Sequence, residues 1–368
     1  MTNIQTQVAP EFNIKEYVRI DWIEDYHAEG VTDLIRRTYN INQKAILTQL
    51  NYPYPEALDP EWIRECIRNE DIAWKVVTDV ITGHIIGSGT VILDRKNKRG
   101  YVRGVMIDPD YQGYGLSSHF LVNAYTEFMR KYRNVIKIFW TENRTAHFKS
   151  QKISENSGMR PVGLLPYKDL FLKKRESDVI YVIYAMNPLK NRRKNLRLIP
   201  EILPIFTVIG RQFRLDLPEI VVTPEIKTNR CNIKQNIYSD KYNYHHATFM
   251  ASGQKLKFMI NPRTGTAEKV QYSPDIDSIT LKTLLKWVLI YLQHNLFYME
   301  CYASAYRPEH QRVFIDLGFQ PTGYIPSWNV VDGKREDIII MTWIKEMPKF
   351  TSMQLTKRAA KIAKLFLS

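Results

Sequence analysis

Apolar side chains recur with helical spacing along residues 120–132. They share one face of a 3.6-residue helix, so the pattern predicts a helix there. The positions are Phe120, Leu121, Ala124, Tyr125, Phe128, Met129 and Tyr132. Upstream, residues 101–107 predict a strand, followed by an Asp-Pro-Asp turn and a glycine-bearing loop. A strand that leads through such a loop to a helix start gathers backbone N–H groups at one point, which predicts a phosphate site.

The rest of the first half alternates between helical and extended patterns. Helices are predicted at residues 25–39, 60–68 and 146–157, a strand–turn–strand hairpin at 73–93, and extended segments at 135–141, 161–165 and 179–186. Gly158 follows the third of these helices, where a left-handed cap is expected. The mixture indicates an α+β fold.

The glycine loop has an unusual spacing, Gln112-x-x-Gly115-x-Ser117. It matches neither the dinucleotide pattern Gly-x-Gly-x-x-Gly nor the Gly-Lys-Ser/Thr loop of nucleoside triphosphate sites. It resembles the acyl-CoA signature of the GNAT superfamily of N-acetyltransferases, Gln/Arg-x-x-Gly-x-Gly/Ala, with Ser117 at the last small position. The resemblance covers residues from about 20 to 186 and implies the α+β GNAT fold.

This resemblance implies that acetyl-CoA, or a longer acyl-CoA, is the co-substrate and that no metal is needed. The strand backbone would pair with the pantetheine amides and supply an oxyanion donor, and the loop amides would hold the pyrophosphate. The cofactor-binding residues expected on this basis are Val105, Met106, Ile107, Gln112, Gly113, Tyr114, Gly115, Leu116, Ser117 and Asn143.

The catalytic groups common in this superfamily are replaced here. Tyr101 and Arg103 stand in the region where some members place a glutamate, and Ser154 stands where a tyrosine often protonates the leaving thiolate. A base is nevertheless needed, because deprotonating an alkylamine at pH 7 costs about 4.6 kcal/mol.

Three residues are candidates for these missing roles: Glu142, His147 and Tyr167. Each has a structural alternative. Glu142 could be a solvent-exposed carboxylate at a strand end, His147 a capping or surface residue, and Tyr167 a packing residue.

The second half of the chain repeats the first. At an offset of 160, residues 151–166 and 311–326 share Gln, Gly, Pro, Gly and Pro at equivalent positions. This predicts two tandem GNAT-like domains, each a mixed, mostly antiparallel sheet flanked by helices. Because Gln151 recurs as Gln311, a structural hydrogen bond is expected for it rather than catalysis. The predicted order is a GNAT domain with the acyl-CoA site (1–186), a basic linker (187–200), a degenerate GNAT-like domain (201–345) and a basic amphipathic C-terminal helix (346–368).

The two copies differ at the phosphate loop. Residues 271–278 of the second copy contain no glycine, and Asp275 and Asp277 would repel a pyrophosphate. One active CoA site is therefore expected, with the second copy serving as a scaffold or an acceptor-binding domain.

Composition narrows the remaining choices. An apolar content of 44% in 368 residues indicates a folded protein, and three widely spaced cysteines indicate a reducing compartment, so a cytoplasmic location is expected. The formal net charge is +14, with five basic residues and no acid in 187–197, and six basic residues and one acid in 345–368. These segments are interpreted as a solvated linker and tail, or alternatively as attracting an acidic partner.

The predicted function is transfer of an acetyl or longer acyl group from CoA to a primary amine of a small molecule or a peptide side chain. A monomer or homodimer is expected, with the amine acceptor as partner in preference to nucleic acid. The apolar side of residues 355–367 either docks on the protein itself, contacts a membrane surface weakly or lines a long acyl chain. The alternative function is a non-catalytic CoA-binding regulator or a nucleic-acid-binding protein.

Overall fold

The computed structural model describes residues 14–42, 54–113, 115–171 and 174–367. The chain forms two compact units. Of the described residues, those of 14–42, 57–92 and 102–132 form the first unit, and those of 54–56, 93–101 and 133–367 form the second.

The first unit contains a sheet with strand order β1-β2-β3-β4, in which β1–β2 and β2–β3 are antiparallel. The ends of β3 and β4 at their connecting turn belong to the second unit. Its elements are β1 Val18–Trp22, α1 Ala28–Tyr39, α2 Pro60–Ile67, β2 Ile72–Asp79, β3 Ile85–Asp94, β4 Arg99–Ile107 and α3 Leu116–Tyr132.

The second unit contains a mixed sheet with strand order β5-β7-β6-β15-β16-β14-β13-β12-β11-β10, and a separate parallel pair, β8–β9. Its first elements are β5 Ile138–Arg144, α4 Lys149–Asn156, β6 Arg160–Phe171, β7 Lys174–Tyr184, β8 Arg197–Leu198, α5 Leu203–Phe213 and β9 Glu219–Ile220. The others are β10 Lys234–Ser239, β11 His245–Ala251, β12 Gln254–Asn261, β13 Thr266–Tyr272, α6 Ser278–Leu292, β14 Tyr298–Ser304, α7 Pro308–Asp316, β15 Gln320–Val331, β16 Lys334–Ile344 and α8 Lys357–Ala363. The α+β class is confirmed.

Most elements of the first half lie where the hydrophobic pattern predicts them. The helical face of α3 is buried at Phe120, Ala124 and Phe128, and Gly158 adopts the expected left-handed conformation with φ +86°. Four elements differ in their bounds from the prediction. The strand predicted at 135–141 is β5, three residues further along, and the helix predicted at 146–157 is the shorter α4. The segment predicted at 161–165 is the much longer β6, while β7 begins five residues before the predicted 179–186 and ends two residues earlier.

The second half shows the element order and contacts of the first. Strands β10 to β13 follow one another as β1 to β4 do, and β14-β16-β15 repeats the order β5-β7-β6. Hydrogen bonds repeat as well. The carbonyl of Lys98 accepts the amides of Lys137 and Ile138, and the carbonyl of Gly265 accepts those of Phe297 and Tyr298.

The shared glycines of the repeat have a packing role. Gly163 of β6 pairs with Gly323 of β15, and a Cβ added at Gly163 would lie 3.0 Å from the Cα of Gly323. The same added atom at Gly323 would lie 2.5 Å from Ile340 Cδ1. Only glycine at both positions lets the two strands approach this closely, so this contact accounts for one of the identities found in the sequence.

The basic segment 187–197 is mostly exposed, but Arg192 and Arg193 form ion pairs within the protein. Arg192 is largely buried in an ion pair with Asp337, 2.7 Å between Nη2 and Oδ2, and Arg193 pairs with Glu336. Leu196, Leu198 and Ile199 are buried in the core of the second unit. The charges of Arg192 and Arg193 are therefore compensated within the protein, which weakens the interpretation of this segment as a nucleic-acid footprint.

The C-terminal segment docks on its own unit. Helix α8 begins after Thr356, whose hydroxyl accepts the Ala359 amide at 3.2 Å, and it packs against β6. Ile362 and Ala363 are buried, so the apolar side predicted for this helix already has a partner and is not available to a membrane surface. The helix is shorter than the predicted residues 355–367.

Candidate functional site

The end of strand β4 leaves backbone exposed in the first unit. Gly104 has φ +61° inside the strand, and Gly104 and Val105 are exposed. Met106 is half-buried and Ile107 is buried. An exposed strand backbone offers N–H and C=O groups to an extended ligand such as a chain of amides.

The turn after β4 is held by the carboxylate of Asp108. This carboxylate accepts Arg37 Nε at 2.7 Å and the Asp110 amide at 3.1 Å. The Asp108 amide in turn donates to the carbonyl of Ile86 at 2.8 Å. A charge-assisted bond to helix α1 thus fixes the turn against the neighbouring strand.

A second anchor follows at Tyr111, whose hydroxyl donates to the Asp79 carboxylate. Burial alone would raise the pKa of Asp79, but this bond and the amides of Ile81 and Thr82 outweigh burial and lower the pKa. The same bond raises the pKa of Tyr111 to about 12. The loop that follows therefore starts from a rigid base.

The glycine loop has open space around its glycines and leads directly into helix α3. Gly113 and Gly115 have φ +93° and +74°, and a Cβ added at either would meet no atom of the described residues within 4 Å. Gln112 donates its side-chain amide to the carbonyl of Ile107 at 3.0 Å. The Leu116 side chain is buried, while Tyr114 and the side chain of Ser117 lie outside the described residues. Because the first amides of a helix have no intrahelical acceptor, this loop can bind an anion.

The corresponding helix of the second half already carries its own anion. Asp277 caps α6, and its carboxylate accepts the Thr280 amide and the Thr280 hydroxyl, each at 2.8 Å. The hydrogen bond from the Thr280 backbone amide is the main cause that lowers the pKa of Asp277. The prediction that Asp277 would repel a phosphate agrees with this geometry, since a carboxylate lies where the anion would have to bind.

In the second unit, Glu142 of β5 is a buried carboxylate and not the solvent-exposed one that was weighed as its alternative. Its Oε1 lies 3.0 Å from Lys168 Nζ, and its Oε2 accepts the Tyr101 hydroxyl at 3.1 Å. Tyr101 stacks on Trp140, with 4.0 Å between ring centroids. Both oxygens of this carboxylate therefore accept hydrogen bonds, from an ammonium and from a phenol.

More acidic groups surround Lys168. Carboxylate oxygens of Glu268 and Glu300 each lie 3.6 Å from its Nζ. Burial would lower the pKa of Lys168, but the three glutamates outweigh burial and raise it well above its usual value. Burial raises the pKa of Glu300, and that of neighbouring Asp169, to about 7.

Two further candidates have mainly structural surroundings. Asn143 is buried and donates to Ser154 Oγ at 2.7 Å. His147 is exposed in the loop before α4 and does not begin the helix; partial burial of its ring and the Arg144 cation lower its pKa.

Tyr167 has φ +50°. Its backbone amide donates to Ser177 Oγ, and its carbonyl accepts a hydrogen bond from the Arg175 guanidinium. The second half repeats this backbone geometry at Ser327, with φ +57°, bound to Asp337 and Arg335. A geometry shared by a tyrosine and a serine belongs to the backbone and does not depend on the phenol.

Gln151 has the structural role that its recurrence predicts. Its side chain bonds the carbonyls of Arg144 and Gln354 and accepts the Thr356 amide. Gln311 makes the same set of bonds with Ser304, Arg197 and Ile199.

Four charged residues of this cluster were not predicted as site residues: Lys168, Asp169, Glu268 and Glu300. A signal was available, because each is a charged residue inside a strand, and buried charges need partners. Which charges meet depends on long-range pairing that the pattern of one strand does not encode.

Among the residues that the structure describes, no group of three or more His, Cys, Asp or Glu side chains could hold a metal ion. Over those same ranges, no helix is long and apolar enough to cross a membrane.

A sequence model described as the acetyltransferase (GNAT) family matches residues 31–153. No curated protein matches the chain. Similar solved structures include a ribosomal-protein-S5-alanine acetyltransferase from Vibrio fischeri, 19% identical over 49% of this chain and 98% of that chain, with a TM-score of 0.39. A spermidine N-acetyltransferase from Vibrio cholerae is 16% identical over 46% of this chain and 94% of its own, with a TM-score of 0.36. A ribosomal L7/L12 α-N-protein acetyltransferase in complex with coenzyme A is also 16% identical, over 46% of this chain and 94% of its own, with a TM-score of 0.36.

Proposed function

We propose that this chain, whose residues 31–153 match the acetyltransferase (GNAT) family, transfers an acyl group from acyl-CoA to a primary amine. The acyl group is acetyl or longer, and the amine belongs to a small molecule or a peptide side chain. The observation that carries the proposal is the open glycine loop at the start of α3, next to the exposed end of β4.

Two parts of the CoA molecule, the pantetheine and the pyrophosphate, have a matching feature in the first unit. The pantetheine amides pair with the backbone of Val105, Met106 and Ile107, where the strand is exposed at Val105. The pyrophosphate lies against the amides of residues 112–117, where the positive end of the helix dipole and the absence of glycine side chains favour it.

The binding test substitutes Gly115→Leu, with Gly83→Leu as the matched control. Both glycines have φ +74° and open space around an added Cβ, so both variants carry the same backbone strain of about 1–2 kcal/mol. Only the side chain at residue 115 would occupy the pyrophosphate position. We expect CoA affinity, measured by calorimetry, to fall at least about tenfold in the first variant and to be unchanged in the second. Equal affinities in the two variants would contradict the assignment of the loop.

The activity test follows free thiol release from acetyl-, octanoyl- and palmitoyl-CoA with a panel of amines. The panel contains diamines, polyamines, amino acids and peptides with lysine side chains or free amino termini. Thiol release that depends on both substrates supports the proposal. Saturable CoA binding without thiol from any acceptor would favour the regulatory alternative.

We assign the base role to Glu142. The hydroxyl of Tyr101 donates to it, and Lys168 keeps an opposite charge beside it. In the reaction the acyl carbon–nitrogen bond forms and the carbon–sulfur bond breaks. One of the two ammonium protons that are lost leaves with the CoA thiol, and the carboxylate takes the other. His147 and Tyr167 remain candidates for the acid that protonates the thiolate, to be tested as His147→Ala and Tyr167→Phe. Asn143 remains a proposed CoA contact.

We also propose that the second half is a degenerate copy of the same domain that does not bind CoA. The repeated strand order and the repeated carbonyl contacts of Lys98 and Gly265 support a common fold. The carboxylate of Asp277 at the start of α6 argues against a pyrophosphate there. A stoichiometry of one CoA per chain is therefore expected.

A further inference from the structure

Strands β13 and β14 of the second half pair over a very short distance. They are parallel, and their register joins Thr266 to Tyr298 and Ala267 to Met299. The next residue on each strand is a glutamate, Glu268 on β13 and Glu300 on β14. Two carboxylates therefore flank the point where this ladder ends.

A primary ammonium group lies between these carboxylates. The Nζ atom of Lys168 is within 3.6 Å of an oxygen of each, and 3.0 and 3.1 Å from the two oxygens of Glu142. The Lys168 side chain is only 4% exposed. An ammonium has three N–H donors, and here three carboxylates are available to it.

The chain brings Lys168 there by a local irregularity of β6. The register of β6 on β7 shifts between Leu165 and Asp169, and Lys168 lies in the shifted segment. The guanidinium of Arg175, on the partner strand, donates to the carbonyl of Thr264 just before β13. These contacts hold the β6–β7 hairpin against the end of the β13–β14 ladder.

We propose that the second unit contains a binding site for a primary alkylammonium group at the end of the β13–β14 ladder, with Lys168 as its built-in occupant. The site uses Glu142, Glu268 and Glu300. The inference concerns the second unit alone and holds whether or not the chain transfers acyl groups.

The charge balance makes the occupant necessary. Three carboxylates face a single ammonium in a buried setting, and Asp169 and Asp178 lie close enough to affect the same groups. Removing Lys168 leaves these charges uncompensated, which is strongly unfavourable in a protein interior. A small cation of the right shape should then bind from solution and stabilise the fold by mass action.

The test uses Lys168→Ala and n-propylammonium chloride, whose three carbons and ammonium replace the atoms Cγ to Nζ that the substitution removes. Thermal unfolding is followed by circular dichroism as the amine concentration increases, with equal concentrations of sodium chloride and 1-propanol as references. We expect a saturable rise of the unfolding midpoint that only the amine produces. The wild-type protein gives the background shift from any other amine site.

The matched control is Lys168→Ala combined with Glu268→Gln and Glu300→Gln. It has the same cavity but lacks two of the three charges, so the amine-specific rise should disappear. A folded Lys168→Ala protein whose midpoint responds to amine no more than to salt or propanol would overturn the proposal.

A second pair of variants covers the case in which Lys168→Ala does not fold. Lys168→Met keeps the length of the side chain, and the proposal predicts that its loss of stability is partly recovered by adding Glu268→Gln and Glu300→Gln. Adding Asp316→Asn, a buried carboxylate paired with Lys282 in the same unit, should give no recovery. If the two glutamate substitutions recover no stability, or if they recover only as much as Asp316→Asn does, a specific ammonium site is contradicted.

Discussion

At the scale of single residues, the carboxylate of Glu142 is the group on which the proposed chemistry depends. It is buried, accepts the Tyr101 hydroxyl and pairs with Lys168. Glu142 was predicted as a candidate base, but its burial could not be inferred, since it lies among polar residues at a strand end. The partner that makes burial tolerable, Lys168, is 26 residues away in sequence.

Glu142→Gln should reduce kcat by about 10² to 10⁴, the usual contribution of a positioned proton acceptor. CoA affinity should stay unchanged, because the substitution removes a charge from the second unit and leaves the glycine loop of the first intact. The check is steady-state kinetics with calorimetry of CoA binding.

Glu176→Gln is the control for that substitution, because it also removes a buried carboxylate of an ion pair, with Arg144. Its kcat should remain near the wild-type value. A similar loss in both variants would indicate damage to the fold instead of loss of a base.

At the scale of secondary-structure elements, two glutamines act as equivalent clips. Gln151 on α4 holds the segment that precedes α8, and Gln311 on α7 holds the segment around β8. Their identity in the repeat was visible in the sequence. The segments they hold differ in position along the chain, so the function of the glutamines becomes apparent only in the folded protein.

Gln151→Leu should loosen residues 354–363 and cost about 1–3 kcal/mol, because the substitution leaves buried carbonyl and amide groups unpaired. Amide hydrogen exchange is expected to accelerate in that segment and not at residues 197–199. Gln311→Leu should do the reverse, so each variant is the control for the other. Acceleration of both segments in both variants would show that the clips are not independent.

The boundary error at the end of β5 has a physical cause. Strand β5 extends to Arg144 because Glu142, Asn143 and Arg144 each find a buried or half-buried partner. A hydrophobic pattern ends a strand at its first run of polar residues. The polar end of β5 was consequently assigned to a loop.

At the scale of the whole molecule, the buried acidic cluster predicts how stability depends on pH. In the folded state the pKa values of Glu300 and Asp169 are raised to about 7, chiefly by burial, from usual values of 4.5 and 3.8. The folded protein therefore binds more protons than the unfolded chain between these limits. The resulting contribution to stability is present below about pH 4 and is lost as the pH rises through about 7.

In urea titrations between pH 5 and 8, we expect these two groups to lower the free energy of unfolding as the pH rises. Glu300→Gln should make that dependence shallower by removing one of the two groups. Glu219→Gln, at a mostly exposed site of the same unit, should leave it unchanged. An unaltered slope in Glu300→Gln would contradict the assignment.

Features that depend on residues close in sequence, or on the internal repeat, could be predicted from the amino-acid sequence alone. These are the helical face of α3, the β2–β3 hairpin, the glycines whose positive φ opens the loop at Gly113 and Gly115, and the repeat that pairs Gln151 with Gln311. Each follows from local spacing or from self-similarity, which a single chain displays directly.

The contacts between charges that are distant in sequence become apparent only in the tertiary structure. It brought Lys168, Glu268 and Glu300 together, buried Arg192 against Asp337 and placed Gly163 on Gly323. Buried ion pairs and close strand contacts arise from register and long-range pairing, in which a shift of one residue exchanges the two faces of a strand. The spacing of charges along the sequence does not predict this register or the long-range pairing.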